Sequence, residues 1–437
     1  MKSLLLTILT ASALIYFQPT CRAQSLESAG DDADVRENPV IDGIDEEFDL
    51  TVPSFINQSK NVITLNGANW APLKRAIALS ETVPFSIVHI GDSHLQADFA
   101  TGAVRDYLQY DHGNAGRGLI TPLKMSGTNQ PQDYSFSGDG SWNSVKLMGN
   151  NWKRTMGFTG TSITPTKNIS SFTVSTSERD DYDPFTSITI FHKGQFFVTS
   201  IEGINGQKIP FISRPSKDYT HIQLTREVTS AKINFESAGD LTLFGVSLSG
   251  NRPGIFYHTI GNNGATYDTY NRIGNVGEGI SPLSPNLVII SLGTNEAFGR
   301  LSTTMLRKAI DRLVQNIRKD NPSAEILLVT PMECQRSTYT TVTKKSKKKS
   351  RRRRATTQKV KGYKVNDNIA PIRQTILEYG KENHIAVYDW YEVAGGKDAS
   401  SKWISDGLYS HDRVHHSYKG YNLQGFLLYQ ALKNALE

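Results

Sequence analysis

The sequence predicts an α/β fold, a parallel sheet with helices on both faces, which is interrupted by a long all-β region. After residue 250, apolar runs typical of buried strands alternate with stretches of helical periodicity, and this alternation predicts parallel strands joined by crossover helices. Strands are predicted at 85–90, 254–260, 286–292, 325–330 and 385–389, and helices at 68–81, 99–110, 302–319, 366–383 and 418–434.

The composition changes between about residues 130 and 250, where Ser, Thr and Gly become frequent. Short segments in this stretch alternate apolar and polar residues and are separated by turn residues, which is the pattern of antiparallel strands. With 437 residues, the chain is also too long for one ordinary domain. We therefore predict an inserted β-sandwich domain over 130–250, within an α/β domain that comprises 61–129 and 251–437.

Residues 1–23 have the pattern of a secretory signal peptide. Lys2 is followed by an apolar stretch from 4 to 17, and Cys21-Arg-Ala23 offers a small-residue cleavage site. We therefore expect an exported protein, periplasmic or extracellular. Lipid attachment through Cys21 is the disfavoured alternative, because Gln18-Pro-Thr precedes it instead of small apolar residues.

The chain that follows the signal peptide begins with an acidic, polar stretch without periodicity. Residues 24–60 are therefore predicted to be a flexible linker. Cleavage after Ala23 leaves Cys334 as the remaining cysteine, so no intrachain disulfide is expected. No later apolar stretch reaches the length that a membrane-spanning helix requires.

The formal net charge of +6 arises from one local run. Residues 344–354 contain nine cations, and the rest of the chain carries a formal charge of −3. Such a dense run repels itself, so we predict a disordered basic loop over 341–360. A nucleic-acid partner is not expected, because the sequence shows no basic surface on a folded element. Weak binding of anionic envelope polymers through 344–354 is the functional alternative to a solvated loop.

Three predicted strands are each followed by a glycine-containing turn. These turns offer a hydroxyl group, a closely approachable backbone N–H and a side-chain amide. Ser93 lies two residues after Gly91, in a strand-to-turn arrangement that resembles a nucleophile elbow. Gly264 follows the strand at 254–260, and Asn295 follows the strand that ends before Gly293. Because the carboxyl ends of parallel strands meet at one edge of a sheet, we expect these residues to lie together. Asp92 is expected to brace the turn.

The fourth motif is Asp412-x-x-His415, near the end of the chain. A carboxylate three residues before an imidazole can orient the ring and stabilise its protonated form. A metal site built from this region is an alternative, although no helical His-x-x-x-His pair supports it. No Gly-x-Gly-x-x-Gly follows a strand, so no dinucleotide cofactor is expected.

Together, the four blocks resemble the motifs of the SGNH (GDSL-type) serine esterase family. The blocks are Gly91-Asp92-Ser93-His94, Gly264, Gly293-Thr294-Asn295 and Asp412-x-x-His415. His94, where Leu is commoner, and the phrase Gly113-Asn-Ala-Gly-Arg-Gly118 resemble the bacterial peptidoglycan O-acetylesterase branch. The resemblance covers roughly residues 80–125 and 250–437.

This resemblance implies a three-layer α/β/α, flavodoxin-like fold for the α/β domain, and a Ser-His-Asp site. Ser93 would be the nucleophile, His415 the general base, and Asp412 the group that orients His415. The backbone N–H groups of Ser93 and Gly264 and the side-chain amide of Asn295 would form the oxyanion hole. The resemblance implies no cofactor and no metal.

The implied activity is that of an exported esterase that removes O-acetyl groups from a cell-envelope glycan such as peptidoglycan. The partner would be an acetylated polysaccharide, and carbohydrate binding is one interpretation of the insert at 130–250. Three alternatives stay open: an acetyl esterase acting on other polysaccharides such as xylan, an acetyl transferase, and a non-catalytic glycan-binding protein.

Overall fold

The computed structural model describes residues 51–149, 155–176, 183–344 and 356–437. The predicted signal peptide, most of the predicted linker and the tip of the basic run lie outside these residues. None of the helices in the described ranges is both long and apolar enough to cross a membrane.

The elements of the described residues follow one another along the chain. The strands are β1 (Ile63–Thr64), β2 (Phe85–Gly91), β3 (Gly118–Ile120), β4 (Tyr134–Gly138), β5 (Trp142–Lys146), β6 (Thr161–Pro165), β7 (Ile169–Thr176), β8 (Phe185–Lys193), β9 (Phe196–Glu202), β10 (Phe211–Pro215), β11 (Tyr219–Val228), β12 (Ser230–Ser237), β13 (Thr242–Ser249), β14 (Ile255–Gly261), β15 (Leu287–Ser291), β16 (Glu325–Val329), β17 (Gln335–Lys344), β18 (Thr356–Val365) and β19 (Ala386–Tyr388). The helices are α1 (Ala71–Ala78), α2 (Ser93–Gln96), α3 (Phe99–His112), α4 (Tyr267–Ile273), α5 (Val276–Ile280), α6 (Thr303–Asp320), α7 (Ile369–Glu382), α8 (Trp390–Val393), α9 (Ala399–Ser405) and α10 (Tyr418–Leu436).

A six-stranded sheet with the order β1-β19-β16-β15-β2-β14 forms the centre of the α/β part. Five neighbouring strands pair in parallel, as predicted. The edge strand β1 differs, because it pairs antiparallel with β19. The sheet is therefore mixed, with a short antiparallel strand that closes one edge of the parallel core.

Side chains on the two faces of this sheet enter two separate cores. In β2, Ile87 packs with α1, α3 and α10 on one face, whereas Val88 and Ile90 pack with α4, α6 and α7 on the other. A strand that is covered on both faces favours apolar residues on both sides, which explains the mostly apolar run at 85–90. The two polar residues in it, Ser86 and His89, are buried and hydrogen-bonded. The helices predicted at 68–81, 99–110, 302–319, 366–383 and 418–434 are confirmed as α1, α3, α6, α7 and α10.

Residues 118–249 build two antiparallel sheets, in keeping with the period-two pattern of this region. One has the order β10-β11-β8-β13-β6-β5 with β3 beside β13, and the other has the order β4-β7-β12-β9. A shared apolar core lies between them and includes Phe136, Phe172, Ile188, Phe235 and Leu248. β3 lies before residue 130 yet pairs with β13, so the β structure begins earlier than the predicted boundary. The assignment of 130–250 as a separate inserted domain stays a prediction.

Two predicted loops are wrong in the parts that the structure describes. The linker prediction fails at 51–60, because Ile56 is only 5% exposed in the core and the Asn57 N–H donates to the Val393 carbonyl. The loop prediction fails at both ends of 341–360, because β17 and β18 pair antiparallel from Gln335↔Val365 to Lys344↔Thr356. Alternating Thr, Tyr and Val residues favour strands there, and the dense charge next to them obscured that pattern.

A buried ion-pair network fixes the start of α3, a few residues after Ser93. Asp98 accepts from Arg105 at 2.8 Å and from Arg117 at 2.7 Å, and both guanidinium groups also bind Asp133. Burial by itself raises the pKa of Asp98, but the two guanidinium charges outweigh it and hold the pKa below its usual value. The network joins α3 to the segments before β3 and β4.

We expect Arg105→Ala to destabilise the protein by about 3–5 kcal/mol, because it removes one partner from a buried charge network. Urea unfolding at pH 7 measures this loss. Lys433→Ala is the control, since it breaks the exposed ion pair with Asp111 and is expected to cost less than about 1 kcal/mol. Equal small losses in both variants would contradict the structural role of the network.

Candidate active site

Ser93 lies at the sharp turn where β2 gives way to α2. The turn needs glycine at 91, because a Cβ atom there would lie 2.8 Å from the Ser291 carbonyl oxygen. Asp92 caps the short helix by accepting the His94 N–H at 2.9 Å, so its predicted role as a brace of the turn is confirmed. Ser93 is the first helical residue and is 2% exposed.

The structure brings Ser93, His415 and Asp412 into one hydrogen-bonded chain. The Ser93 hydroxyl donates to His415 Nε2 at 2.8 Å, and His415 Nδ1 donates to Asp412 Oδ2 at 2.6 Å. His415 is 1% exposed. This geometry fixes the tautomer of the imidazole, with its acceptor nitrogen toward the serine.

The carboxylate of Asp412 is held in its charged form. Burial alone raises its pKa, but the hydrogen bond and charge of His415 outweigh that effect, aided by the N–H groups of Val414 and His415 on Oδ1 at 2.8 and 2.9 Å. The net pKa of Asp412 lies below its usual value. The carboxylate can therefore stabilise a protonated imidazole at neutral pH.

Arg413 anchors the loop that carries Asp412 and His415 to the base of the β17–β18 hairpin. Its backbone φ of +60° is unusual for a residue other than glycine. Its guanidinium carbon lies 4.0 Å from the centre of the Tyr363 ring, and its Nη1 donates to Gln335 Oε1 at 2.9 Å. The Gln335 N–H also donates to the Arg413 carbonyl at 3.0 Å. These contacts hold the strained position between Asp412 and His415.

Gly264 lies in the turn after β14, next to the end of β2. β14 pairs with β2 through Gly261↔Gly91, and Gly264 follows with a φ of +75° that favours glycine. As the first residue of a helix, Ser93 has no intrahelical acceptor for its N–H group. Both predicted backbone donors thus lie beyond paired strand ends, while the oxyanion hole itself stays a prediction.

Asn295 reaches the same edge of the sheet, but its amide group is already engaged. Nδ2 donates to Asp92 Oδ2 at 3.1 Å and to the Ala265 carbonyl at 3.0 Å. Burial raises the pKa of Asp92 to about 6. An oxyanion bound by this amide would have to replace one of these two acceptors.

His94 lies next to the His415 ring, and the sequence leaves the role of His94 undecided. Its ring centre lies 5.2 Å from that of His415, and its Nδ1 is hydrogen-bonded to the Tyr421 hydroxyl at 3.1 Å. Burial lowers the pKa of His94 well below its usual value. A neutral ring at this position avoids charge repulsion when His415 takes up a proton.

Gln96 joins three segments beside the turn that carries Ser93, a role that sequence reasoning missed. Its Oε1 accepts the Asn263 N–H at 2.7 Å, and its Nε2 donates to Thr128 Oγ1 at 2.7 Å and Asn129 Oδ1 at 2.6 Å. The loop before β4 is thereby bound to the turn that carries Gly264. A lone glutamine in a helix gives no sequence signal for such a link.

Glu296 is a second missed residue, directly after Asn295. Its Oε1 accepts the Tyr267 N–H at 2.8 Å, and its buried Oε2 has no hydrogen-bond partner among the described residues. Burial raises its pKa from 4.5 to about 7. The group therefore binds a proton in the folded protein at a pH where the unfolded chain has lost it.

The alternative metal site near Asp412 and His415 gains no support from the geometry. Over the described ranges, the one group of three potential ligands with closely spaced atoms is the more exposed set Asp111, His112 and Glu437. None of these residues belongs to the predicted site.

Comparisons with known proteins find one matching family model and several similar solved structures. Residues 241–423 match the family described as GDSL-like Lipase/Acylhydrolase. A solved peptidoglycan O-acetylesterase is 20% identical and superposes with a TM-score of 0.66, covering 86% of this chain and 99% of its own. A lipase/acylhydrolase from Enterococcus faecalis is 18% identical over 42% of this chain and 78% of its own, with a TM-score of 0.29. A family two carbohydrate esterase from Clostridium thermocellum is 11% identical over 68% of this chain and 99% of its own, also with a TM-score of 0.29.

The alignment with the peptidoglycan O-acetylesterase establishes a common fold, and the other two alignments are too distant to support any argument. No curated protein matches the chain in sequence.

We expect Ser93→Ala and His415→Ala each to lower kcat for a small acetyl ester by about 10⁶-fold, and Asp412→Ala to lower it less. The reason is that the turn needs no hydroxyl to form, whereas proton transfer requires all three hydrogen-bonded side chains, Ser93, His415 and Asp412. Initial rates with 4-nitrophenyl acetate measure the losses, and circular dichroism checks the fold. More than a few per cent of activity in Ser93→Ala would disprove the assignment of the nucleophile.

We expect Glu296→Gln to reduce the pH dependence of stability. The folded-state pKa of about 7 lies above the unfolded value of 4.5, so this group's contribution to stability is full below pH 4.5 and is lost as the pH rises through 7. Urea unfolding at pH 5 and pH 8 compares the two forms. The drop in unfolding free energy between these pH values is expected to be smaller in the variant. An unchanged drop would show that Glu296 is not held protonated.

Proposed function

We propose that this protein is an exported carboxylic ester hydrolase that removes O-acetyl groups from a cell-envelope glycan such as peptidoglycan. The match of residues 241–423 to the GDSL-like lipase/acylhydrolase family and the SGNH-type fold support this proposal. The observation that carries this proposal is the hydrogen-bonded chain from Ser93 through His415 to Asp412. Its order and distances match the needs of nucleophilic ester cleavage.

In the proposed acylation step, the Ser93 oxygen attacks the acetyl carbonyl carbon while His415 Nε2 takes the hydroxyl proton. Asp412 stays ionised and stabilises the imidazolium through Nδ1. The tetrahedral intermediate then collapses, the bond to the sugar oxygen breaks, and His415 donates the proton to that oxygen. The products are a free sugar hydroxyl and an acetyl-Ser93 ester.

Deacylation repeats these steps with water as the nucleophile. His415 takes a proton from the water, which attacks the acetyl carbonyl, and the proton returns to Ser93 as acetate leaves. The N–H groups of Ser93 and Gly264 and the amide of Asn295 are the proposed donors to the oxyanion in both steps. Each such donor typically contributes about 3 kcal/mol of transition-state stabilisation.

Two features support a small acyl group on a polymer. Ser93 and His415 are almost fully shielded from solvent, so the reacting oxygen is more accessible to an acetyl group than to a bulky acyl chain. The segments before β4 and β6 border the site, because the Asn262 amide donates to the Thr159 carbonyl at 3.0 Å and Gln96 binds Asn129. A polymer that enters the site would therefore pass next to the region predicted to bind carbohydrate.

The related fold of a solved peptidoglycan O-acetylesterase supports peptidoglycan among the candidate glycans. We expect the wild-type protein to release acetate from O-acetylated peptidoglycan with a higher kcat/KM than from acetylated xylan. Acetate assays on both polymers measure this, with Ser93→Ala as the inactive control. A preference for xylan would favour the wider polysaccharide esterase. Transfer of acetyl groups to added sugar, in place of acetate release, would favour the transferase.

A further inference from the structure

The β17–β18 hairpin is a part of the protein that ester hydrolysis itself does not use, yet its base contacts the catalytic loop. Tyr363 carries the guanidinium of Arg413 on its ring, and its hydroxyl donates to the His411 carbonyl at 3.3 Å. Both contacted residues are sequence neighbours of Asp412. One face of the hairpin therefore begins at the loop that holds the catalytic Asp and His.

The register of the hairpin defines which side chains share that face. Ser337 pairs with Tyr363, Tyr339 pairs with Lys361, and Thr341 pairs with Lys359. Directly paired residues point to the same face of a sheet, and alternate residues along a strand do so too. Tyr363, Tyr339, Lys361 and Lys359 thus form a row that leads away from the catalytic loop. We call this row the Tyr339 face.

The charge on the two strands has one sign. They contain five cations and no Asp or Glu, namely Arg336, Lys344, Lys359, Lys361 and Lys364. On the face opposite the Tyr339 face, the Arg336 guanidinium lies over the Phe298 ring and Lys364 pairs with Asp367 at 3.8 Å. Lys359 and Lys361 are exposed, and Tyr339 is 58% exposed. The Tyr339 face therefore offers a large exposed aromatic ring directly opposite Lys361 and diagonal to Lys359.

We propose that the Tyr339 face binds the glycan substrate, and that this substrate carries carboxylate groups. This inference rests on the proposed glycan esterase function and deepens it, because it assigns a binding surface outside the catalytic centre and a charge to the substrate. Tyr339 supplies rigid apolar area with a polar tip against a sugar ring. Lys359 and Lys361 supply ammonium groups for carboxylates, and such exposed pairs weaken as salt screens them.

The length of the two strands determines how long a glycan segment the Tyr339 face can contact. Ten residues of β17 at about 3.3 Å each extend roughly 30 Å, so several sugar units could lie along the hairpin while one acetyl group occupies the site. Because Arg413 and Tyr363 join the hairpin to the loop that carries Asp412 and His415, a glycan chain bound along the hairpin would be aligned with Ser93. A soluble acetyl ester makes no use of this surface.

The two test variants lower the charge by the same amount, but on opposite faces of the hairpin. Lys359→Gln/Lys361→Gln removes two positive charges from the Tyr339 face, and Lys364→Glu makes the same change of charge on the opposite face. We expect the double variant to raise KM for O-acetylated peptidoglycan fragments about three- to tenfold at low salt, with kcat unchanged. Lys364→Glu is expected to change KM less than twofold. Neither variant is expected to alter turnover of 4-nitrophenyl acetate.

Two further measurements sharpen the test. In 0.3 M salt, the difference in KM between wild type and the double variant is expected to shrink, and with neutral acetylated cello-oligosaccharides it is expected to vanish. Tyr339→Ala is expected to raise KM for both glycans, because ring stacking does not depend on charge. An unchanged KM in the double variant, or an equal rise in Lys364→Glu, would overturn the proposal.

Failure of the proposed function can be told apart from failure of this inference. Binding of the full chain to polygalacturonate, an anionic glycan without acetyl groups, is measured directly and needs no catalysis. If wild type releases no acetate from any glycan yet binds polygalacturonate through Lys359 and Lys361, the surface stands and the proposed substrate is wrong. If wild type deacetylates peptidoglycan and all variants bind polygalacturonate equally, the surface assignment is wrong.

Discussion

Parallel pairing of β2 between β14 and β15 is the interaction on which the rest of the site depends. Gly91 pairs with Gly261 on one side and with Ser291 on the other, so three strands end at the same level. The turns that follow carry Ser93, Gly264 and Asn295. A slip of one residue in either pairing would exchange the side chains that enter the two cores and would separate the buried Ser86 and His89 from their hydrogen-bond partners. Packing on both faces therefore protects the register and, with it, the site.

His415 is positioned in a different way from Ser93. Asp412 and His415 lie in a loop before α10, outside the sheet. Hydrogen bonds within the loop and contacts with the β17–β18 hairpin hold it in place. The Asp412 carboxylate accepts two backbone N–H groups of the same loop, and Arg413 fastens the loop to the hairpin. The serine is thus positioned by the sheet and the histidine by a braced loop. The two meet through one hydrogen bond of 2.8 Å.

Local patterns explain which features could be predicted. The strand before Ser93 is a mostly apolar run, the helix α6 has strong amphipathic periodicity, and both lie where the sequence indicates. Ser93, Asp412 and His415 could be predicted to form a triad because the spacing is local at Asp412-x-x-His415 and the serine follows a strand, and the structure places the three side chains within hydrogen-bond distance. The pairing of β3 with β13 could not be predicted, since nothing in three residues specifies a partner more than a hundred positions away. The same holds for the Asn295 amide, whose acceptors come from two other segments.

The order of the segments along the chain has a consequence for how the site forms. β2 and β14 are adjacent in the sheet, yet the whole β region lies between them in sequence, and Ser93 bonds to a residue 322 positions away. Contacts of such long range form slowly, because closing the intervening loops costs entropy before any contact compensates for it. Esterase activity is accordingly a late marker of folding.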